Sequence, residues 1–447
     1  MNKLLKRLRR INNDAGISLI EVVIATLVFS ILALGAGYST ITVIKITQDT
    51  RSRQVATALA TTELDAARAV EDPFDIVNGS RQTTISGRVY TIAKSTSWVE
   101  TSGADVGCGT GTGTLQAKRV NVTVTWAGML NTTPPVRSDT LISPDDRIND
   151  PSLGTIRISV LSVAGTGASG VAVAITPVSG GAIAVDKQPD NTDSDGCSYA
   201  LKVTPGTYKV AISRSGSIDN AQVTAPFKNV VVTAGGSVAT QFQYDYAATF
   251  NLTYANGSAK TPTNLDTSYL STYGVYVDSV KKSSVGLHPY PSGYAGIAGK
   301  YIAPVSGNAG CVSVDPAAWP AATVNGTALA QGTRTAAVAA APKGSVNMTI
   351  PMGVITVTNS GNYTLTAESA TAAATAADPG CATGMSYTFG AVSGNQTIAL
   401  PYGSWTLYQT VAGIKTAIPA NKVGLVGGLL SLLGIGNVFT LDPRNPA

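Results

Sequence analysis

The chain has 447 residues, enough for about three to five compact modules that each bury a core of their own. Charged residues make up only 13% of it, about half the usual share for a soluble protein, and the formal net charge is +5. Residues 1–16 carry five basic residues against Asp14, so the rest of the chain is only +1. Because binding to phosphate backbones needs a concentrated basic surface, this distribution argues against a nucleic-acid partner.

The first predicted element is a long apolar helix. Residues 1–16 are basic and end in Gly16, and residues 17–44 contain one carboxylate and no basic residue. Such a stretch is long enough to span a bilayer. The basic residues before it place the N-terminus in the cytoplasm and the residues after about 45 outside.

Glu21 is the one feature that hydropathy does not explain. A carboxylate inside an apolar helix costs at least a few kcal/mol unless it finds a partner. The residues alone leave two interpretations open. The side chain either extends to the lipid headgroups near the helix end or pairs with a cation.

The run of Gly16, Ile17, Ser18-Leu19-Ile20 and Glu21, followed by a long apolar helix, resembles the type IV prepilin family, which includes the pseudopilins of type II secretion. The resemblance implies that a prepilin peptidase cleaves between Gly16 and Ile17 and that the new amino group of Ile17 is methylated. Ile17 stands where Phe is commoner. By the same resemblance, Glu21 pairs with the terminal amine of a neighbouring pilin subunit during assembly.

Gly35 and Gly37 lie where many members of that family carry a proline. Both residue types weaken helical backbone, so the segment could stretch on assembly or serve helix packing. The helical pattern continues to residue 70. Its predicted apolar stripe comprises Val55, Leu59, Thr62, Ala66 and either Ala69 or Val70. Its charged side comprises Arg51, Arg53, Glu63 and Arg68. Strands predicted at 82–85, 88–93 and 118–126 complete a pilin head.

The predicted domains follow from this pattern. They are a leader at 1–16, the transmembrane and assembly helix at 17–70, the head sheet at 71–146 and a polar, proline-bearing linker at 147–153. Three β-sandwich modules follow at 154–246, 247–352 and 353–447. The fold class is therefore an α+β pilin, with a long N-terminal helix and a small antiparallel sheet, followed by all-β immunoglobulin-like modules.

The three modules open with short alternating strands at 155–163, 248–254 and 354–358. The first two close with similar strands after Gly235 and Lys343. The first module resembles prealbumin-like or Cna-B-like immunoglobulin-type domains of bacterial surfaces. Some of those domains carry an amide bond between a Lys side chain and an Asn or Asp side chain. By this resemblance, such a bond between Asn229 and Lys187, Lys202 or Lys209 stays open here.

The apolar, Gly-rich stretch 423–440 could be a second membrane span or a pair of closing strands around an apolar loop. Its glycines weaken a helix, which favours the strands. The turn at 191–196 resembles half of a calcium loop, but Lys202 stands where the last ligand would be. A hairpin turn is the better interpretation.

Four cysteines are spaced too widely for a zinc, haem or redox motif, and the chain has one histidine, His288, expected in a loop. We therefore predict no cofactor and no metal. An even number of cysteines in an exported protein favours disulfides. The favoured pair is Cys311 with Cys381, and Cys108 and Cys197 are undecided.

No spacing supports a nucleophile with a base or a pair of catalytic acids, so the chain is not expected to be an enzyme. The leading hypothesis is a minor type IV pilin that initiates, caps or decorates a filament. It is held in the cytoplasmic membrane before assembly and is extracellular afterwards. Its expected partners are the prepilin peptidase, other pilin subunits and the pilus assembly platform. Alternatives are a tip adhesin for a surface, glycan or protein, and a pseudopilin of a type II secretion or DNA-uptake machine.

Overall fold

The computed structural model describes residues 18–70, 72–110, 115–129, 133–143, 150–306, 310–324, 326–370, 378–426 and 437–444. The chain forms two compact units. The first comprises residues 1–107 and 113–149, and the second comprises residues 108–112 and 150–447. Each unit is described by itself.

The first unit begins with helix α1 (Leu19–Arg68), which contains no proline. It is the one helix among the described residues that is long and apolar enough to cross a membrane. After it, Pro73 opens a short 3₁₀ helix (Pro73–Asp75), where a missing backbone N–H costs nothing. The Asp72 carboxylate caps that turn by accepting a hydrogen bond from the N–H of Phe74 at 2.9 Å.

The head is an antiparallel sheet in the order β1-β2-β4-β5, with β3 paired to β2. Its strands are β1 (Gly79–Ile85), β2 (Arg88–Glu100), β3 (Asp105–Val106), β4 (Leu115–Trp126) and β5 (Val136–Ile142). The alternation predicted for 118–126 is confirmed, because Val120, Val122 and Val124 are fully buried and Trp126 is nearly so. These side chains pack under the C-terminal half of α1.

The apolar stripe predicted for the C-terminal half of α1 is wrong, because the face that packs on the sheet is shifted by one residue. The side chains that face the sheet are small or polar at most positions: Asp49, Ser52, Ala56, Ala60, Leu64 and Ala67. Val55 and Leu59 are only half-buried, and Thr62 and Ala66 are exposed. Alanines at the centre let the helix approach the sheet closely. Glu63, predicted on the solvent side, instead pairs with Arg81 and Lys94 on the sheet.

The second unit begins with a sandwich of two sheets, residues 154–246, called the first sandwich. One sheet has the order β10-β12-β6-β8 and the other β11-β9-β7. Its strands are β6 (Gly154–Leu161), β7 (Ala172–Ser179), β8 (Cys197–Val203), β9 (Gly206–Ser213), β10 (Ser217–Asp219), β11 (Phe227–Val232) and β12 (Ser237–Tyr246). Tyr208 on β9 is fully buried, and its hydroxyl donates to the carbonyl of Thr204.

Residues 248–444, called the C-terminal body, complete the unit. Eight strands come first: β13 (Ala248–Ala255), β14 (Thr267–Ser271), β15 (Gly274–Asp278), β16 (Ser284–Leu287), β17 (Ala295–Ala298), β18 (Ala322–Val324), β19 (Thr327–Leu329) and β20 (Ser345–Pro351). Eight more follow: β21 (Gly353–Val357), β22 (Asn362–Ser369), β23 (Ser386–Ser393), β24 (Gln396–Leu400), β25 (Gly403–Val411), β26 (Ile414–Ala417), β27 (Val423–Leu425) and β28 (Val438–Leu441). Two 3₁₀ turns lie at Pro316–Ala318 and Ala420–Lys422.

The opening and closing strands of the first two predicted modules lie side by side. β6 pairs with β12, and β13 pairs with β20, and both pairs are parallel. A single residue, Ala247, joins β12 to β13, and Met352 likewise joins β20 to β21. The third opening strand, β21, pairs antiparallel with β24 and β27 instead.

All sheets of the C-terminal body except the β18-β19 pair contribute to one hydrophobic cluster, which runs from Ala248 to Leu441. Lys260 pairs with Ile398 across the predicted boundary at residue 352, and Tyr387 donates to Asp266. That boundary therefore separates sets of strands but not two cores. The apolar stretch 423–440 begins in β27 and ends in β28, and residues 427–436 lie outside the described part of the chain. The predicted fold class, one long helix followed by β-sandwich sheets, is confirmed.

Candidate functional site

The candidate site is the free N-terminal part of α1. Residues 19–48, about 45 Å of helix, bury no side chain within the unit. Leu19 is 83% exposed and Tyr38 is 76% exposed. Large exposed apolar surfaces mark membrane or protein contacts. This segment is thus built to be covered by lipid or by other subunits.

Five hydroxyl groups of this segment make hydrogen bonds inside the helix. Thr26 donates to the carbonyl three residues earlier, and Ser30, Thr40, Thr42 and Thr47 donate to carbonyls four residues earlier, all at 2.7–2.9 Å. Polar groups that are satisfied in this way cost little in an apolar surrounding. The segment can therefore carry hydroxyls and still enter a membrane or a filament core.

Glu21 lies in the first turn of α1, where a negative charge is favoured by the helix dipole. It is exposed, and its backbone N–H bonds to the carbonyl of Ser18 at 2.9 Å. Gly16 and Ile17 lie outside the described residues. Cleavage after Gly16, methylation of Ile17 and the pairing of Glu21 therefore stay predictions.

Gly35 and Gly37 lie in continuous helix. A β-carbon built on either residue would meet nothing within 4 Å. Neither glycine makes room for a neighbour among the residues that the structure describes. Helix packing between subunits and stretching on assembly both remain predictions for them.

Asp49 marks the point where α1 docks on the head. Asp49 is 8% exposed, and its carboxylate accepts hydrogen bonds from the indole N–H of Trp126 at 3.0 Å and the hydroxyl of Thr133 at 2.8 Å. One turn on, Arg88 donates to the hydroxyl of Ser52 at 2.9 Å. These contacts fix where the free segment begins. No apolar pattern in the sequence indicated these contacts, because this end of the docking face carries polar residues.

The structure contains two disulfides. Cys311 is bonded to Cys381, the pair favoured from the sequence, and the two lie 70 residues apart. Cys108 is bonded to Cys197, 89 residues away, which the sequence left undecided. Residues 108–112 accordingly group with the second unit, although the chain on both sides of them belongs to the first.

The residues considered for an amide bond lie on surfaces. Lys209 is directly opposite Asn229 on the outer face of the sheet, and its ammonium lies 4.2 Å from the centroid of the Phe227 ring. Lys187 forms an exposed ion pair with Asp190 at 3.2 Å. Neither lysine is held in a buried acidic surrounding of the kind that such chemistry requires.

The 191–196 segment is a turn. The Asp193 carboxylate accepts hydrogen bonds from the N–H groups of Asp195 and Cys197 at 2.9 and 2.8 Å. Side chains of Asp that bond to backbone N–H groups two residues on stabilise turns. Among the described residues, no three His, Cys, Asp or Glu side chains group as a metal site would need.

His288 lies in a loop of the C-terminal body, as expected, but it is completely buried. Its Nδ1 lies 3.2 Å from the carbonyl oxygen of Ile218, and its backbone N–H donates to the Gln222 amide oxygen at 2.8 Å. The Gln222 amide nitrogen donates to the Tyr294 hydroxyl at 2.9 Å. Burial lowers the pKa of His288. This clasp joins the first sandwich to the C-terminal body, and no sequence pattern indicated it.

Comparison with known proteins identifies the N-terminal segment. Residues 11–37 match the family model described as the prokaryotic N-terminal methylation motif. No curated protein matches the chain. The resemblance of this segment to type IV prepilins is thereby confirmed.

Among solved structures, the Bacillus anthracis TIE protein is 12% identical, with 77% of this chain and 71% of that one covered and a TM-score of 0.20. A streptococcal ancillary pilin is 9% identical, with 60% and 79% covered and a TM-score of 0.19. A variant of BcpA, the major pilin subunit of Bacillus cereus, is 12% identical, with 59% and 92% covered and a TM-score of 0.19. At these TM-scores the three similarities carry no argument about function.

Proposed function

From the prepilin-type N-terminal segment we propose that the chain is a minor pilin of a type IV pilus-like filament. A prepilin peptidase cleaves it after Gly16, Ile17 is methylated, and other pilin subunits and the assembly platform take it from the membrane into the filament. The observation that carries this proposal is the methylation motif at 11–37, which continues into an apolar helix that nothing in the unit covers. The role is structural rather than catalytic.

In this proposal Glu21 directs assembly. Before incorporation its carboxylate lies near the end of a membrane helix, where it costs free energy without a partner. In the filament the methylated amine of a neighbouring subunit supplies the opposite charge, and an ion pair in an apolar surrounding is far cheaper than either charge alone. Assembly is then favoured only when the two groups meet.

The test is the Glu21→Ala variant, with Gln48→Ala as a matched control because Gln48 is also exposed on α1. We expect Glu21→Ala to be processed and to stay in the membrane fraction but to be missing from sheared filaments. Gln48→Ala should be incorporated normally. Incorporation of Glu21→Ala at the native level would contradict the proposal.

A second function, adhesion at the filament tip, is favoured by the size of the second unit. The first sandwich and the C-terminal body have hydrophobic cores of their own, so each can serve as a folded module displayed on a filament. Deleting residues 151–447 separates the roles. Loss of filaments supports initiation or capping, whereas normal filaments with lost attachment support an adhesin. Recovery of the chain only in a secretion or DNA-uptake complex would favour a pseudopilin.

A further inference from the structure

An open groove of about 660 Å³ lies in the second unit, where the first sandwich meets the C-terminal body. Gly170, Ala172 and the turn 213–217 form its walls on the sandwich side, and Ala247 and Gly286 complete it. Small-molecule sites occur preferentially where two packed bodies meet. Small side chains on every wall keep this groove open.

Arg214 supplies the charge of the groove. Its side chain is 12% exposed, and its guanidinium lies 3.9 Å from the centroid of the Tyr246 ring. Nε donates to the hydroxyl of Ser217 and Nη1 to the carbonyl of Ser169, both at 2.9 Å. These two contacts use two of the five N–H groups of an arginine. The guanidinium is therefore held in place with donors to spare.

The second terminal nitrogen of Arg214 has no hydrogen bond to the described residues. Its nearest negative charge is Asp245, 3.9 Å away, beyond hydrogen-bond distance. The Asp245 carboxylate is itself buried and accepts from the N–H of Val163 at 3.0 Å. Lys343 adds a second positive charge, 3.7 Å from the centroid of the Tyr246 ring. The Asp219 carboxylate also lies near, since it acts on the same Tyr244 hydroxyl as Arg214. The two positive charges are therefore balanced, and Arg214 offers unused N–H donors rather than excess charge.

The remaining lining is rich in hydroxyl groups. Ser213, Ser215 and Thr224 are exposed at the groove, and the only large apolar side chain of the lining, Ile218, is buried. The apolar surface of the groove comes from glycine, alanine and the carbon atoms of serine and threonine, whereas peptide side chains are usually anchored by large apolar or aromatic residues. Hydroxyls and backbone groups instead suit a ligand that is itself covered with hydroxyls.

We propose that this groove binds an acidic sugar residue, whose carboxylate is held by the Arg214 guanidinium and whose hydroxyls bond to the serine and threonine side chains. The inference extends the proposed function, because a filament subunit displays its second unit outside the cell. A guanidinium presents parallel N–H groups that match the two oxygens of a carboxylate. Ligand selection would thus depend on charge as well as on shape.

The test uses the full chain, purified in a detergent without a sugar headgroup. Ligand-observed NMR measures binding of glucuronic acid and N-acetylneuraminic acid, with N-acetylglucosamine as the uncharged control. Arg214→Lys keeps the charge but loses the paired donors. Because Arg214 also supports its own turn, Ala172→Phe provides an independent variant that fills the groove and leaves the arginine intact. Ala174→Phe is the matched control, since Ala174 is exposed on the same face of β7 but does not line the groove.

We expect saturable binding of at least one acid and none of the uncharged sugar. Arg214→Lys should weaken binding about tenfold or more, Ala172→Phe should abolish it, and Ala174→Phe should leave it unchanged. Absence of saturable binding by the native chain, equal binding of the uncharged sugar, or normal binding by Ala172→Phe would each overturn the inference. Binding of a tripeptide through its free carboxylate without either acid would also overturn it.

Filament incorporation of the same variants is scored separately. The groove lies in the second unit, so all three variants should enter filaments normally. Failure of the native chain to enter filaments would contradict the proposed function and leave the binding measurement standing. Loss of sugar binding in a chain that assembles normally bears only on the groove.

Discussion

Replacing Asp49 with alanine should loosen the docked half of α1 from the head. In the structure the Asp49 carboxylate accepts one hydrogen bond from the Trp126 indole and one from the Thr133 hydroxyl. Trp126 is 5% exposed, so its N–H cannot turn to water when the acceptor is removed. The hydroxyl of Thr133 is only half-buried and can be hydrated instead.

The size of the effect follows from these two contacts. A hydrogen bond to a charged group contributes about 1.5–3 kcal/mol, and an unsatisfied buried donor costs about 1–3 kcal/mol. With the Thr133 contribution partly replaced by water, Asp49→Ala should destabilise the docking by about 2–4 kcal/mol. Asp49→Asn keeps an oxygen that can accept from the indole, so about half of that loss is expected.

Hydrogen exchange measured by mass spectrometry on the full chain reports this loss locally, because amides exchange through opening of the segment that contains them. Exchange of amides 50–67 should accelerate by roughly 30-fold to several hundred-fold in Asp49→Ala. Asp65→Ala is the matched control on the same helix. Its carboxylate is 62% exposed and pairs only with exposed Arg68, which contributes at most about 0.5 kcal/mol.

Equal exchange in Asp49→Ala and Asp65→Ala would refute the reasoning. It would mean that the alanine contacts alone hold the helix and that the buried carboxylate adds nothing net. A double-mutant cycle with Trp126→Phe makes the distinction quantitative. A coupling energy near zero between the two positions would contradict a direct hydrogen bond.

Two further predictions concern the second unit. Replacing both Cys311 and Cys381 with serine opens a 70-residue loop. Because the unfolded chain then gains conformational entropy, the C-terminal body should lose about 4 kcal/mol of stability. The loss should appear as a lower midpoint of guanidinium unfolding, followed by the fluorescence of the buried Trp405. An unchanged midpoint would contradict this. His288 is the only histidine, so its ring signals can be assigned directly by NMR. Its pKa should lie below the ordinary value of 6.5, because burial outweighs the attraction of Asp219 and Asp245. Near and below pH 6.5 the unfolded chain then binds more protons than the folded chain. The free energy of unfolding should therefore fall as the pH drops below about 6.5, by at most about 1.4 kcal/mol per pH unit. A titration midpoint of the His288 ring at or above 6.5 would contradict this.

The sequence predicted those elements in which one physical pattern dominates. Alternation at Val120, Val122 and Val124 placed one face of β4 in the core, and a long charge-poor stretch predicted α1. The predicted docking face of α1 differs from the observed face by one residue, because Ala56 and Ala60, rather than the larger Val55 and Leu59, lie at its centre. Close approach to a sheet selects small residues, which hydrophobicity alone ranks low.

Features that depend on tertiary neighbours could not be predicted. The single core of residues 248–441 arises because strands from both predicted modules pack together, and the repeat pattern marks strands rather than cores. The burial of His288 depends on Gln222, 66 residues earlier. No sequence pattern distinguished Arg214 from other arginines, because the groove beside it forms only where the fold brings Gly286 close to the turn 213–217.

The proposed function depends on cleavage after Gly16 and on assembly through the new N-terminus. The most direct measurement is the intact mass and N-terminal fragment mass of the chain recovered from sheared filaments. We expect a chain that begins at Ile17 and carries one added methyl group on its terminal amine. A filament chain that retains residues 1–16, or that begins at any other residue, would contradict it.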